Sequence, residues 1–146
     1  MPHINRSALL PFSAMQMYHL VHDVSAYPEF LPGCIGSYVL DSGPNLMTAT
    51  INISKAGMSE TFTTRNILSE NSSIKMQLLN GPFRKLRGAW YFISLGAKSC
   101  RVELYLEFEI SNKLIEVMLY QLLKPLAVNM VTVFSERARE LYNILY

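Results

Sequence analysis

The chain has 146 residues, of which 50% are apolar and only 16% are charged. This length suits a single domain over residues 1–146, and the composition excludes a disordered chain, a collagen-like chain and a coiled coil. So high an apolar fraction with so few charges leaves two explanations. Either the hydrophobic core is very full, or part of the apolar surface holds a ligand.

The N-terminal part of the chain predicts one strand followed by two short helices. His3–Leu9 favours a strand, and Ser13 is a suitable N-cap for a helix over Ala14–His22. A second short helical element, Ser25–Leu31, ends at Pro32, because proline and the glycine after it stop a helix.

The middle of the chain predicts six further strands, because apolar residues there alternate or run together between turn signals. The connections are too short for parallel crossovers, so neighbouring strands must be antiparallel. The strands are expected at Ile35–Asp41, Leu46–Lys55, Ser59–Ser69, Ile74–Asn80, Leu86–Leu95 and Cys100–Ile110.

The C-terminal part predicts one long amphipathic helix over Lys113–Tyr142, with a broad apolar stripe. Pro125 is expected to kink it, since proline removes a backbone hydrogen bond and crowds the preceding turn. A curved antiparallel sheet of six to seven strands around this helix would bury one face of each. The predicted fold class is therefore α+β.

Three segments of the chain resemble the coenzyme Q-binding START proteins, a branch of the START-like or Bet v 1-like helix-grip superfamily that includes polyketide cyclases. Asp23–Pro32 is similar to the V-x-x-Y-P-x-F-L-P segment of that family. Leu79–Trp90 is similar to its D-G-P-F-K-x-L-x-G-x-W strand pair, and Met130–Tyr142 to its closing M-V-x-x-F-x-x-R-A-x-x-Y helix. The resemblance implies a helix-grip fold. The chain departs from the family at Gly33, where a tryptophan is usual, and at Pro125.

The first functional hypothesis is a cavity between sheet and helix that holds an apolar isoprenoid. The resemblance implies ubiquinone or a similar lipid, bound without catalysis in support of respiration or ubiquinone biosynthesis, with no cofactor required. Aliphatic and aromatic side chains with few polar anchors are typical of such sites, and they are equally typical of an ordinary core. The candidate lining residues are Phe30, Leu31, Trp90, Phe92, Leu104, Leu106, Phe108, Met118, Leu122, Leu126, Met130 and Phe134.

The second hypothesis starts from the distribution of charge. The net charge is only +2, yet residues 71–102 contain six cations and no acid. Clustered cations can neutralise a nucleic-acid backbone, and Phe83 and Tyr91 are expected to add a surface for stacking RNA bases. The alternative is a solvated hairpin whose cations keep a sheet edge soluble. The candidate nucleic-acid-binding residues are Arg84, Lys85, Arg87, Lys98 and Arg101.

Within this family, the chain resembles most specifically the bacterial members that associate with the ribosome. It implies a toxin that binds the large ribosomal subunit, blocks its association with the small subunit and inhibits translation initiation. The possible partners are thus ubiquinone or another lipid, the large ribosomal subunit, and a membrane touched only transiently, since no transmembrane segment is predicted.

No catalytic or metal-ligating set stands out in the sequence, and the protein is predicted not to be an enzyme. The two cysteines are far apart and are expected to be free. Without a signal peptide or a disulfide framework, the expected location is cytoplasmic.

Overall fold

The computed structural model describes residues 3–55, 57–109 and 113–142, and within the last range the side chains of 117, 118 and 120–142. Seven strands precede one long helix, and two short helices follow the first strand. The elements are β1 (His3–Leu10), α1 (Ala14–His22), a 3₁₀ helix (Val24–Glu29), β2 (Cys34–Ser42), β3 (Leu46–Lys55), β4 (Met58–Ser69), β5 (Ser73–Asn80), β6 (Lys85–Gly96), β7 (Ser99–Glu109) and α2 (Lys113–Tyr142).

The seven strands form one antiparallel sheet in the order β1-β7-β6-β5-β4-β3-β2. Strands β2 to β7 follow one another as hairpins, whereas β1 pairs with β7, the strand farthest from it in sequence. The residues between β1 and β2 form the two short helices. The sheet thus has two edge strands, β1 and β2, and its middle strands are paired on both sides.

Helix α1 begins at the residue that the sequence predicts. The hydroxyl of Ser13 accepts a hydrogen bond from the backbone N–H of Gln16 at 3.1 Å, and the Gln16 side chain accepts one from the Ser13 backbone N–H at 2.9 Å. This reciprocal pair is a capping box, which satisfies two N–H groups that the helix itself leaves unpaired. The predicted N-cap is therefore confirmed.

The core lies between the inner face of the sheet and helix α2. Trp90 on β6 pairs in register with Leu104 on β7 and with Ile74 on β5, so these three side chains share the inner face. The ring of Phe134 on α2 packs edge-on against Trp90, with 5.2 Å between ring centroids. Burying aromatic and aliphatic side chains from both layers is what holds the helix on the sheet.

The predicted secondary structure agrees with the structure within a few residues at each end. The sheet has seven strands, the upper end of the predicted range, and the long helix has the predicted bounds. The second short element is a 3₁₀ helix that contains Pro28. Helix α2 continues through Pro125, whose carbonyl accepts a hydrogen bond from the Asn129 side chain at 2.9 Å. The predicted end of the last strand, Ile110, lies outside the described residues.

Candidate functional site: an apolar cleft and a charged outer sheet face

The predicted cavity residues lie mainly between sheet and helix, where most of them are buried. Met118 differs, because 53% of its side chain is exposed. Half-buried members are Phe30, Leu106, Leu126 and Met130, and the buried members are Leu31, Trp90, Phe92, Leu104, Phe108, Leu122 and Phe134.

The aromatic members of this set contact one another. Phe134 lies 5.1 Å from Phe30 and 5.2 Å from Trp90 between ring centroids, and Trp90 stacks on Phe92 at 6.2 Å. Edge-to-face and offset arrangements at these distances stabilise a core beyond simple burial. At this level the space inside the grip is therefore occupied by the protein's own side chains.

The prediction that Phe83 contributes to an exposed stacking surface is wrong. The side chain is buried, and its ring lies 5.6 Å from both Phe62 and Phe108 between centroids. Phe83 precedes β6 in the turn after β5, so the alternation of a strand does not fix its direction. It folds inward because an aromatic ring gains more from burial than from exposure.

Buried Tyr27 is a core residue that the candidate set omits. Its hydroxyl donates a hydrogen bond to the backbone carbonyl of Val21, and its ring lies 5.4 Å from Phe134 between centroids. Burial raises the pKa of the Tyr27 hydroxyl well above its ordinary value, with a smaller contribution from the nearby Asp23 charge. Tyr27 therefore joins the 3₁₀ helix to both α1 and α2.

An apolar cleft of about 390 Å³ opens where α2 passes the start of β2 and the end of β3. Two of its lining residues, Leu122 and Leu126, belong to the predicted cavity set. Gly33 lies at this cleft with a backbone φ of +82°, a value that residues with a side chain rarely adopt. Its carbonyl accepts a hydrogen bond from the backbone N–H of Ser54 at 2.8 Å. The other lining residues are Pro32, Ile53, Ser54, Lys55, Pro125, Asn129 and Val133.

The five predicted basic residues do not form one patch. Arg84, Lys85 and Arg87 lie at the start of β6, beside the end of β7. Lys98 lies in the turn at the opposite end of the same hairpin, about 36 Å along β6 from Lys85 at 3.3 Å per residue. Arg101 pairs with Ile93 and so lies about 20 Å along the strand from Arg87. All five are exposed, but only Arg84, Lys85 and Arg87 lie together at the start of β6.

Strand β7 supplies carboxylates that the linear sequence does not place near these cations. Arg87 Nε lies 2.5 Å from Glu107 Oε2, and the shortest ion-pair distances of Arg84 to Glu109 and of Arg101 to Glu103 are 3.5 and 3.7 Å. The hydrogen bond from Arg87 holds the pKa of the Glu107 carboxyl below its ordinary value. The acid-free stretch of the sequence is therefore partly neutralised by its neighbouring strand.

The outer face of β5, β6 and β7 nevertheless carries a net positive depression of about 1050 Å³, called the outer depression below. Its lining includes four cations and one carboxylate: Lys75, Arg84, Lys85, Arg87 and Glu107. Lys75 and Lys85 form no ion pair with any other described residue. At this depression, charge and concavity coincide.

Two tyrosines stand in the same depression. Tyr91 on β6 and Tyr105 on β7 contact each other edge-to-face, with 5.8 Å between ring centroids, and both line the depression. Tyr91 is predicted from the sequence as a stacking residue, whereas Tyr105 is not. The alternation of β7 places Tyr105 outward with the glutamates, but only the register of β6 against β7 shows that it meets Tyr91.

Within the described part of the chain, no helix combines the length and the apolar character needed to cross a membrane.

Comparison with known proteins defines the class to which this fold belongs. Residues 10–135 match the family described as polyketide cyclase / dehydrase and lipid transport, and the chain belongs to that family. The structure is similar to the ZhuI aromatase/cyclase from Streptomyces sp. R1128, with a TM-score of 0.83, 17% identity and 98% of each chain covered. It is also similar to a START superfamily protein from Mycobacterium smegmatis, with a TM-score of 0.80, 21% identity, and 95% and 98% of the two chains covered. These likenesses confirm the predicted helix-grip fold.

Individual relatives narrow the comparison. The chain is 55% identical over 143 residues to the ribosome association toxin RatA of Escherichia coli (strain K12), covering 98% of this chain and 90% of the relative. It is 28% identical over 86 residues to the mitochondrial coenzyme Q-binding protein COQ10 of Dictyostelium discoideum, covering 57% of this chain and 42% of the relative. Both resemblances stated from the sequence motifs are confirmed.

Proposed function

We propose that this protein associates with the large ribosomal subunit through the outer depression and thereby blocks association with the small subunit. The observation that carries the proposal is the surplus of cations over carboxylates in that concave surface. Such a surface attracts phosphate groups and releases counterions when it binds RNA. Similarity to a ribosome association toxin over nearly the whole chain supports the same partner.

Under this proposal the protein acts as a toxin that inhibits translation initiation by binding, without catalysis. A ribosomal partner implies a cytoplasmic location. Arg84, Lys85 and Arg87 are the residues proposed to contact phosphates first, because they are exposed and lie together at the start of β6. Lys98 and Arg101, at the far end of the hairpin, are proposed to contribute only as a secondary contact.

The test is co-sedimentation of purified protein with large subunits on sucrose gradients at increasing salt. We expect the bound fraction to fall steeply as salt rises, and we expect a variant with Arg84→Glu, Lys85→Glu and Arg87→Glu not to co-sediment. A second variant with glutamine at the same three positions should lower the salt slope by about one for each cation that contacts a phosphate. This variant removes charge without placing new carboxylates beside Glu107 and Glu109.

The matched control reverses three exposed cations elsewhere, Lys55→Glu, Lys124→Glu and Arg139→Glu, so that the net charge changes equally. Urea unfolding of every variant verifies that it is folded. The proposal is contradicted if the β6 variants still co-sediment like the native protein, or if the control loses binding to the same extent.

We propose a second function for the apolar cleft, binding of an isoprenoid such as ubiquinone. The cleft is concave, mainly apolar and open beside Gly33, which suits a lipid tail or a quinone ring. Similarity to a coenzyme Q-binding protein over part of the chain supports this ligand class. This function uses a different surface from the outer depression, so the two proposals are independent.

Organic extraction of the purified protein followed by mass spectrometry tests the second proposal. We expect a quinone or related isoprenoid to be recovered, and we expect Leu126→Trp to reduce the recovered amount by filling the cleft. The matched control is Leu46→Trp, which places the same side chain on an exposed position of β3. Recovery of no lipid from the native protein, with no binding of added ubiquinone, contradicts the proposal.

A further inference from the structure

The outer depression is lined by aromatic side chains in addition to its charged groups. Tyr91 and Tyr105 are diagonal neighbours on the outer face, because Tyr91 pairs with Glu103 and Tyr105 pairs with Ala89. The two rings meet at an interplanar angle of 76°, and 39% of Tyr105 remains exposed. Tyr91 is half-buried and Tyr105 is exposed, so the pair retains ring surface that a partner can contact.

The floor of the depression is a small side chain. Ala89 pairs with Lys75 on one side and with Tyr105 on the other, so a cation, a methyl group and an aromatic ring follow one another across three strands. Adjacent strands are about 4.8 Å apart, which places the backbones of Lys75 and Tyr105 about 10 Å from each other. The small residue between two long ones keeps the surface concave here, and Ala89, Tyr91 and Tyr105 all line the depression.

An aromatic surface next to cations matches the chemistry of a nucleic acid, which has flat bases and anionic phosphates. Unpaired nucleic-acid bases stack on exposed aromatic side chains of sheets, while nearby lysines and arginines neutralise the adjacent phosphates. In a duplex the base faces are already stacked on one another and are not available to a tyrosine. The combination of rings, cations and concavity therefore favours a single strand over a duplex.

We infer that the outer depression binds unpaired bases of single-stranded RNA, which stack on Tyr91 and Tyr105. Lys75 and Arg87 contact the phosphates on either side of the stacked bases. The inference rests on the proposed function in one respect, that ribosomal RNA supplies the single strand. It adds the chemical form of the partner and assigns recognition to two tyrosines and to Lys75.

The test uses fluorescence anisotropy with a labelled single-stranded RNA of ten nucleotides and with the same strand annealed to its complement. We expect the native protein to bind the single strand more tightly than the duplex. Tyr91→Ala combined with Tyr105→Ala should weaken single-strand binding by at least roughly fivefold, since stacking contributes about 1–3 kcal/mol, or roughly 5- to 150-fold, for each base. The salt dependence should remain unchanged in this variant, because no charge is lost.

Three further variants separate stacking from other causes. Tyr91→Phe with Tyr105→Phe keeps both rings and should retain binding. Tyr38→Ala removes an exposed tyrosine from edge strand β2 and should have no effect. Lys75→Gln should lower the salt slope by about one while the preference for a single strand remains.

Measuring the same variants by ribosome co-sedimentation distinguishes failure of this inference from failure of the proposed ribosome association. If the alanine double variant co-sediments normally and the native protein shows no preference for the single strand, the inference is overturned and the proposed function stands. If the native protein binds the single strand through the tyrosines but does not co-sediment with ribosomes, the inference stands and the proposed function fails. If the tyrosines are needed for co-sedimentation while free RNA is not bound, the surface contacts a ribosomal protein, which overturns the inference.

Discussion

The inner and outer faces of strands β5 to β7 carry side chains of opposite character, although successive residues of the same strands supply both faces. On the inner face Trp90 and Leu104 are 2% and 0% exposed and pack beneath α2. One residue further along each strand, Tyr91 and Tyr105 face outward beside lysine and arginine side chains. The inner face is filled by the protein itself, and the outer face remains available to a partner. The same three strands therefore carry the hydrophobic core on one face and the proposed recognition surface on the other.

The largest expected effect tests whether stability really resides on the inner face. Phe134→Ala should lower the free energy of unfolding by about 3–5 kcal/mol, because it removes a ring packed between Trp90 and Phe30. Tyr105→Ala on the outer face should cost about 1 kcal/mol or less, the contribution of a cross-strand pair. Urea unfolding of both variants measures the difference. Similar losses for the two would show that the outer face also carries the fold.

An intermediate effect is expected at Gly88, where β7 lies so close to β6 that there is no room for a side chain. A Cβ at Gly88 would lie 2.6 Å from Leu106 Cδ2 and 2.8 Å from the Tyr105 backbone oxygen. The backbone oxygen cannot move without shifting β7, so Gly88→Ala should destabilise the protein by about 1–3 kcal/mol. The midpoint of urea unfolding checks this value.

The matched control for Gly88 is Gly43→Ala, whose new Cβ would meet nothing closer than the Leu46 carbonyl oxygen at 3.6 Å. This change should alter the free energy of unfolding by about 0.5 kcal/mol or less. An equal loss in the two alanine variants would indicate a backbone effect common to glycines and would refute crowding between β6 and β7.

The smallest expected effect concerns the carboxylate that competes for Arg87. Glu107→Gln frees the guanidinium and removes a negative charge from the outer depression, so affinity for single-stranded RNA should rise by up to about fivefold. Because the hydrogen bond from Arg87 lowers the pKa of Glu107, this carboxylate stays ionised to a pH below its ordinary titration range, so its protonation should not change the affinity between pH 6 and 8. Fluorescence anisotropy measures both quantities.

The control for Glu107 is Glu140→Gln on α2, which also removes the carboxylate of an arginine ion pair, at 3.2 Å from Arg137, but lies on another element. Its affinity should equal that of the native protein. A decrease in affinity for Glu107→Gln would show that this carboxylate helps to orient Arg87 toward the ligand.

Most of the secondary structure could be predicted from the sequence, because it depends on local patterns. The alternation of β7, the cap at Ser13 and the long apolar stripe of α2 are properties of adjacent residues. The direction of Phe83 could not be predicted in the same way, since it lies in a turn where no periodicity applies. The exposure of Met118 likewise depends on how α2 is rotated against the sheet.

The candidate site likewise combines features that local sequence patterns predict with features that depend on the tertiary structure. Alternation in β6 and β7 is sufficient to place Tyr91 outward and Trp90 inward. It does not reveal that Arg87 meets Glu107, because those residues are 20 positions apart and meet only through the register of two strands. For the same reason, five cations that form one run in the sequence lie at two ends of a hairpin in the folded protein.

The high apolar fraction and the acid-free stretch both follow from the sequence alone, and each has a defined place in the fold. The sequence by itself determined the α+β architecture, because hydrophobic periodicity and turn residues act over a few positions at a time. Only the tertiary structure decided that the inner apolar surface is largely occupied by its own aromatic rings. It also decided which cations keep their charge free, since pairing between strands brings together residues that are distant in the chain.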